Sequence, residues 1–474
     1  MKKIFKIAIA ATVLFLPSLL SAQSNFRTGY FLDGYSYKYR FNPSFQGDRG
    51  FISFPVLGNL NVGVESNMGL STFLYPTENG NLTTFLNSSV DDNVFLNGLS
   101  ENNKLNVNLD MPVLALGFRT KKSYHTIDLS VKAGAGVNVP KSLFKFAKVG
   151  SADGTTEYNV KDFMVKADGR LELAYGYSRP LTSWLDFGVR LKFLAGVARA
   201  EVNLKEVNFK TAADEWSVKA SGSLEASCGG LMLPEKTNDS GEQVIDFENI
   251  GFDMEGFLNS LRKPSFGGAI DLGLSAHILG FIDISAAMVD IGLISWNDVT
   301  KGVTSGNPWT FNGFGSISTD GGAGADFEQF GTELLNAFEF KKTSEGVKAV
   351  DWLAMTSYIS VEVMMPFWKR LSFGLLATHR YDGPFSWTEG RLSVNIAPLN
   401  WLSLTANYAL SDFGSSFGGA LNIHAKGFNL FVGADSFLPL MEVTPQYIPV
   451  KTLNTSVAVG LNFPFGKYNG RFKK

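Results

Sequence analysis

The sequence predicts an all-β fold, a transmembrane antiparallel β-barrel of about fourteen strands with an N-terminal plug and helical loop inserts. Three observations predict it. The N-terminus reads as a secretory leader, segments of about ten residues alternate strictly between apolar and polar side chains, and no later uncharged apolar stretch is long enough for a spanning helix. A membrane chain without spanning helices satisfies its backbone polar groups only by closing a sheet on itself.

The leader covers residues 1–22. Lys2, Lys3 and Lys6 supply its basic start, Ile7 to Leu20 its apolar middle and Ser21-Ala22 its small end. Cleavage is expected after Ala22. Removing those three lysines from the 42 basic residues leaves 39 against 44 acidic ones, a formal charge of −5. No basic tract stands out, so nucleic acid is not an expected partner. The one cysteine, Cys228, lies far from the leader. That excludes lipidation at the cleavage site, an intramolecular disulfide and any multi-cysteine metal site.

The alternation is clearest where Leu402, Leu404, Ala406, Tyr408 and Leu410 share one face and Ser403, Thr405, Asn407, Ala409 and Ser411 the other. It returns around Ile127–Val137, Leu185–Phe193, Ile270–Ile278, Leu392–Ile396 and Val457–Phe463. A soluble sandwich also alternates, but these segments are long, and their polar face is rich in Gly, Ser and Asn, as suits a wet lumen. Candidate strands are 60–74, 104–119, 123–138, 163–179, 183–203, 266–279, 281–296, 353–366, 370–382, 386–397, 401–411, 415–425, 427–437 and 453–465. The segment 213–228 also reads as a strand and is placed in an outer excursion; in the wall, with a partner, it raises the count to sixteen. The expected organisation is leader 1–22, plug 23–59, barrel 60–465 and tail 466–474.

Turn lengths orient the barrel, because short turns face the periplasm and long loops the exterior. Three short turns pair a strand-ending Pro with a Trp: Pro180 with Trp184, Pro366 with Trp368, and Pro398 with Trp401. Pro ends ladder pairing and Trp suits the headgroup level, so these six read as a periplasmic girdle. Inserts 204–264 and 297–352 are then external. Helices are expected where Phe327, Phe330, Leu334, Leu335 and Phe338 share a face behind Asp326, from Met254 to Arg262, and between Leu82 and Leu99.

Inward positions carry both signs of charge: Asp128, Lys132, Arg170, Glu172, Asp186, Arg190, Lys192, Asp271, Asp283, Glu362, Arg380, Arg391 and Asp435. They form either a filler network between wall and plug or a polar path for a solute. Residues 24–59 place Tyr30, Phe31, Tyr35, Tyr37, Tyr39 and Phe41 around Lys38 and Arg40. Such a segment suits a lumen, its cations meeting carboxylates such as Glu172, Asp271 or Glu362. The histidines His125, His277, His379 and His424 have no metal-ligand spacing. A Ser-His dyad at His277 or His424 is the enzymatic alternative, but abundant serines make such chance pairs inevitable, so no enzyme and no cofactor is expected. Two functions remain: passive transport of a small solute, apolar in the narrower version, or a non-transporting scaffold for secretion or surface assembly. Expected partners are outer-membrane lipid, the barrel-assembly machinery and that solute.

The runs Arg40-Phe-Asn-Pro-Ser-Phe45, Ser53-Phe-Pro-Val-Leu-Gly-Asn59 and Glu65-Ser-Asn67, with Gly117-Phe-Arg119 and Val139-Pro-Lys-Ser-Leu-Phe144, resemble a family of Bacteroidetes outer-membrane proteins of unknown function. The resemblance implies a barrel and no activity. More distantly the chain is similar to the long-chain fatty-acid transporter family, whose fourteen-strand barrels carry an Asn-Pro-Ala motif in an N-terminal plug. Asn42, Pro43 and Ser44 stand at the matching place, with Ser for Ala; the plainer reading of Asn-Pro is a turn. The last strand resembles the outer-membrane assembly signal through Gly460, Phe463 and Phe465, although Ala458 stands where a polar residue belongs.

Overall fold

The computed structural model describes residues 26–54, 58–77, 81–149, 157–211, 216–238, 240–247, 249–306, 309–311, 338–436 and 454–470. The leader and the helix expected over Phe327–Phe338 lie essentially outside these residues. Fourteen antiparallel strands close into one barrel. In chain order they are β1 (Gly50–Ser53 and Leu60–Ser66), β2 (Asn102–Thr120), β3 (Ser123–Pro140), β4 (Glu157–Pro180), β5 (Leu185–Thr211), β6 (Ser265–Ile278) and β7 (Ile282–Thr304). The ring continues through β8 (Phe340–Trp352 and Met355–Met364), β9 (Leu371–Tyr381), β10 (Trp387–Leu399), β11 (Leu402–Ser411), β12 (Gly414–His424), β13 (Asn429–Ser436) and β14 (Asn454–Phe465). Both pieces of β1 pair with β14 on one side and β2 on the other, which closes the ring.

Two details differ from the sequence reading. Gly50–Ser53, assigned above to the plug, belongs to the wall, with Phe51 opposite Pro464 and Gly117. Four residues are too few for alternation to register. The strand at Trp216–Cys228 pairs with the outer half of β5 and with Thr300–Val303 of β7, so it extends the wall outward and the ring stays at fourteen.

The barrel is inverted relative to a soluble protein. Leu191, Phe193, Leu272, Leu274, Leu392, Val394, Val457 and Val459 are exposed on the outside, while Arg190, Lys192, Asp271 and Arg391 are buried within. Lipid rewards the first set, and pairing in the lumen satisfies the second. No helix among the described residues is long and apolar enough to cross a membrane. The short turns gather at one end, where Trp184, Trp368 and Trp401 are exposed. Pro180 forms the last β4–β5 pair with Asp186, Pro366 follows the end of β8, and Pro398 sits in the irregularity between Ile396 and Leu399.

At the other end β5 runs 27 residues, about 90 Å of strand, far more than a bilayer needs. Its outer half shares a separate core of Tyr158, Val207, Phe209, Val218, Ile245 and Phe340. Besides the single turn Leu70–Phe73, the long loops among the described residues carry the helices α1 (Asp92–Asn97), α2 (Lys141–Val149) and α3 (Met254–Ser260). Asp91 and Asp253 cap α1 and α3 by accepting backbone N–H bonds, as expected of Asp there. The sequence reading missed α2.

Candidate functional site

The bore is occupied by residues 26–47. Their Phe26, Tyr30, Phe31, Tyr35, Tyr37, Tyr39 and Phe41 are buried in one cluster with wall residues Phe51, Tyr358, Leu376 and Phe431. The rings meet edge to face, as at Tyr35–Phe431 with centroids 4.8 Å apart, the favoured geometry for aromatic quadrupoles. Asn42 organises a tight turn in which its Oδ1 accepts from the Ser44 N–H at 2.9 Å and lies 2.7 Å from Ser44 Oγ. Its Nδ2 donates to the Leu274 carbonyl at 3.1 Å, and Ser44 Oγ meets Ser275 Oγ at 3.1 Å.

This turn fits the wall only because two wall residues lack a side chain. A Cβ at Gly188 would stand 2.0 Å from the Pro43 carbonyl carbon, and one at Gly273 only 1.9 Å from Asn42 Oδ1. Gly374 and Gly433 make the same allowance for the rings of Phe31 and Phe26.

Charges tie the segment elsewhere. Arg27 reaches Glu65 at 2.9 Å and Glu389 at 3.1 Å, with its guanidinium 4.6 Å above the Trp387 ring. Asp435 accepts from the Thr28 N–H at 2.6 Å, while Arg391 donates to Thr28 Oγ1 at 3.1 Å. Arg40 donates to Asp110 at 3.0 Å and Ser130 at 3.1 Å. The expected partners differ, because Glu172 and Asp271 are already engaged. Arg190 binds Asp128 at 2.6 Å, Glu172 at 3.1 Å and Asp271 at 3.2 Å. Lys192 binds Asp271 at 2.7 Å and Asp290 at 2.6 Å, and Lys132 binds Glu172 at 2.9 Å. Arg170 pairs with Asp168 at 2.7 Å, and Arg380 with Asp382 at 3.6 Å. Of the charges expected inward, Asp128, Lys132, Arg170, Glu172, Arg190, Lys192, Asp271, Glu362, Arg391 and Asp435 are buried, but Glu65, Asp110, Asp290 and Glu389, buried as well, went unnamed. Asp290, at φ 61°, lies opposite the irregularity between Ile270 and Leu272, which shifts the alternation by one residue and hides it.

Beneath the segment a cavity of about 890 Å³ opens at the short-turn end, where Asn400, Trp401 and Lys426 line it. Tyr30, Phe31 and Phe45 also line it. On its β5–β8 side, His277 Nδ1 meets Asp283 at 2.7 Å and Nε2 meets Asp186 at 3.2 Å, and Ser372 donates to Glu362 at 2.6 Å. His424 Nε2 lies 2.9 Å from Ser403 Oγ. Ser403 is buried, so this bond joins β11 to β12, while the His424 ring packs against Gly34 of the segment. His125 bonds Thr120 and Tyr175, and His379 bonds Thr388.

A second closure lies nearer the outer mouth. The 3-10 turn Gly383–Phe385, between β9 and β10, reaches the opposite side of the ring. Phe385 is buried against Gly136 of β3, Asp382 pairs with Lys166 of β4, and Lys104 of β2 donates to the Ser386 carbonyl at 2.7 Å. Lys166 also stands 4.7 Å over the Phe385 ring. The sequence reading places residues 383–385 only as the gap between the candidate strands 370–382 and 386–397.

Residues 43–435 match the family described as "Family of unknown function (DUF5723)". No curated protein matches. Among solved structures, the Pseudomonas putida toluene transporter TodX is similar at 9% identity and TM-score 0.42, over 95% of this chain and 99% of that one. A Pseudomonas aeruginosa FadL homologue is similar at 11% identity and TM-score 0.43, over 94% and 100%. The Ralstonia pickettii toluene transporter TbuX gives 7% and 0.42, over 90% and 91%. At these scores the architecture rests on the strand register itself.

Proposed function

The chain belongs to that family of unknown function, and we propose that it is an outer-membrane barrel for passive transport of a small solute, through a bore that residues 26–47 hold shut. The observation that carries this is the division of labour in the lumen. The wall stays small where the segment sits, at Gly188, Gly273, Gly374 and Gly433, so the space belongs to a separate, displaceable piece. A fourteen-strand ring leaves a hole unless something fills it. In its narrower form the proposal takes the solute as apolar, because Tyr30, Phe31 and Phe45 face the cavity below.

The plug turn Asn42-Pro43-Ser44 is the seat of this seal, and the inward charges hold wall and plug in register. The leader is removed near Ala22, and the assembly machinery reads Gly460, Phe463 and Phe465; the exposure of both phenylalanines supports the latter. The scaffold reading draws on a different observation, the closure by Gly383–Phe385 in series with the plug.

The deciding experiment deletes residues 26–47, keeping the wall from Gly50 onward, with and without loosening of the outer closure by Phe385→Ala. Liposome swelling should rise on plug deletion and rise further in the double variant. Correctly inserted double variants that pass no more solute than the intact chain would refute transport and leave the scaffold.

A further inference from the structure

We propose that α3 and its neighbouring hairpin lie on the outside of the barrel and seat an apolar face in the lipid leaflet on the long-loop side. The level is set by β6. Its outward residues run from Ile278 to Phe266, about 40 Å of strand and roughly 30 Å of height at the usual tilt, the thickness of a hydrocarbon core. Phe266 therefore stands near the upper lipid boundary. Two residues back from it toward Ile278, one row of the sheet joins Phe193, Gly268, Leu293 and Trp352. Phe193 is 67%, Phe266 66% and Trp352 77% exposed, an aromatic border that suits headgroup level.

The chain reaches Ser265 directly from α3. Met254, Leu258 and Leu261 recur at helical spacing on one face, and they are 60%, 56% and 42% exposed. Beside them, in the pairing of Leu231–Met232 with Gly251–Phe252, Met232 and Phe252 are exposed as well. The side of α3 that carries Asp253, Gly256 and Ser260 is packed: Gly229 lies against Ser260 and Gly230 against the Asp253 carbonyl, with no room for a Cβ. The inner face of the wall at this level is filled by Leu194, Ile294, Trp296 and Val299, a cluster α3 does not join, so α3 lies outside the bore.

Five large apolar side chains left exposed within one short insert mark an interaction surface. Continuity with the lipid-facing band through Phe266 selects lipid as the occupant. Arg262 and Lys263, both exposed between α3 and Phe266, have no ion-pair partner among the described residues. At this depth they suit anionic phosphate headgroups, the pattern of an interfacial helix. The proposal holds whether or not the bore conducts.

The test places an environment-sensitive fluorophore at Leu258→Cys in a Cys228→Ser background, with Ser240→Cys in the same insert as control. Each variant is reconstituted as the full chain in phosphatidylcholine–phosphatidylglycerol vesicles and checked for heat-modifiable migration. The Leu258 probe should be blue-shifted and quenched several-fold more by nitroxide lipids than the Ser240 probe, with iodide giving the reverse order. Arg262→Glu with Lys263→Glu should reduce nitroxide quenching at Leu258 when phosphatidylglycerol is present. Equal iodide quenching at both positions without nitroxide quenching would overturn the proposal, as would shielding of Leu258 from both quenchers, which means a protein covers the face. No effect of the charge reversals would overturn the headgroup contact.

Discussion

Replacing Gly188 by Ala tests whether the Asn-Pro turn is seated in the wall or merely near it. The new Cβ would stand 2.0 Å from the Pro43 carbonyl carbon, 2.1 Å from its oxygen and 2.3 Å from the Ser44 nitrogen. All three are backbone atoms, so no rotamer change relieves the overlap and the turn must lift. Overpacking of this kind costs about 1–3 kcal/mol. Lifting also strains the bonds from Asn42 to Leu274 and from Ser44 to Ser275, each worth about 0.5–1.5 kcal/mol net. Taking roughly 2 kcal/mol as the lower end, the unseated population rises about thirtyfold. Hydrogen exchange of the reconstituted barrel should show that loss of protection across residues 26–47, with β9–β12 unchanged. Gly390→Ala is the control, because nothing lies within 4 Å of the Cβ it adds. A folded Gly188→Ala barrel whose segment exchanges at the wild-type rate would refute the socket.

Arg190→Met leaves Asp128, Glu172 and Asp271 without their shared cation; breaking a buried network by one partner typically costs 3–5 kcal/mol, and the urea midpoint of the inserted barrel should fall accordingly, whereas an unchanged midpoint would mean the network is not holding the wall. Epitope tags within 204–264 should be labelled on intact cells and a tag at Asn400 should not; the reverse pattern inverts the topology. In the outer extension, burial pushes the Glu225 carboxyl up, but hydrogen bonds and charge from Lys301 and Arg199 outweigh it and hold it below the usual range. A depressed carboxyl contributes stability above its unfolded value, about 4.3, and loses it as pH falls through the folded value. Proteolysis of the 216–228 region should therefore increase below about pH 4, and Glu225→Gln should flatten that dependence.

The fourteen strands were legible because lipid imposes a strict rule on every second residue, and that rule survives without knowledge of neighbours. It failed where the rule is suspended. Asp290 sits where the ladder slips by one residue, and Gly50–Ser53 is too short to alternate visibly. The inward charges were legible as a set, but not as pairs, since pairing depends on which strands the segment crosses. Thus Arg40 meets Asp110 rather than Glu172, which Lys132 and Arg190 already hold. Nothing local in Gly383-Pro384-Phe385 announces that it reaches across the bore, because its partners Lys104, Gly136 and Lys166 lie over two hundred residues away in the chain.

The lumenal segment touches the ring at many points of its circumference: Glu65 on β1, Asp110 on β2, Ser130 on β3, Ser275 on β6, Ser285 on β7, Glu389 on β10, Asn422 on β12 and Asp435 on β13. Mechanically these are spokes on a hub. Neighbouring strands resist sliding through their ladder, but a ladder alone does little to stop a wide tube from flattening into an ellipse. Bonds that cross the diameter do resist it. Residues 26–47 therefore fix the roundness of the cylinder under the lateral pressure of the bilayer, and a barrel deprived of them is a softer object even before anything passes through it.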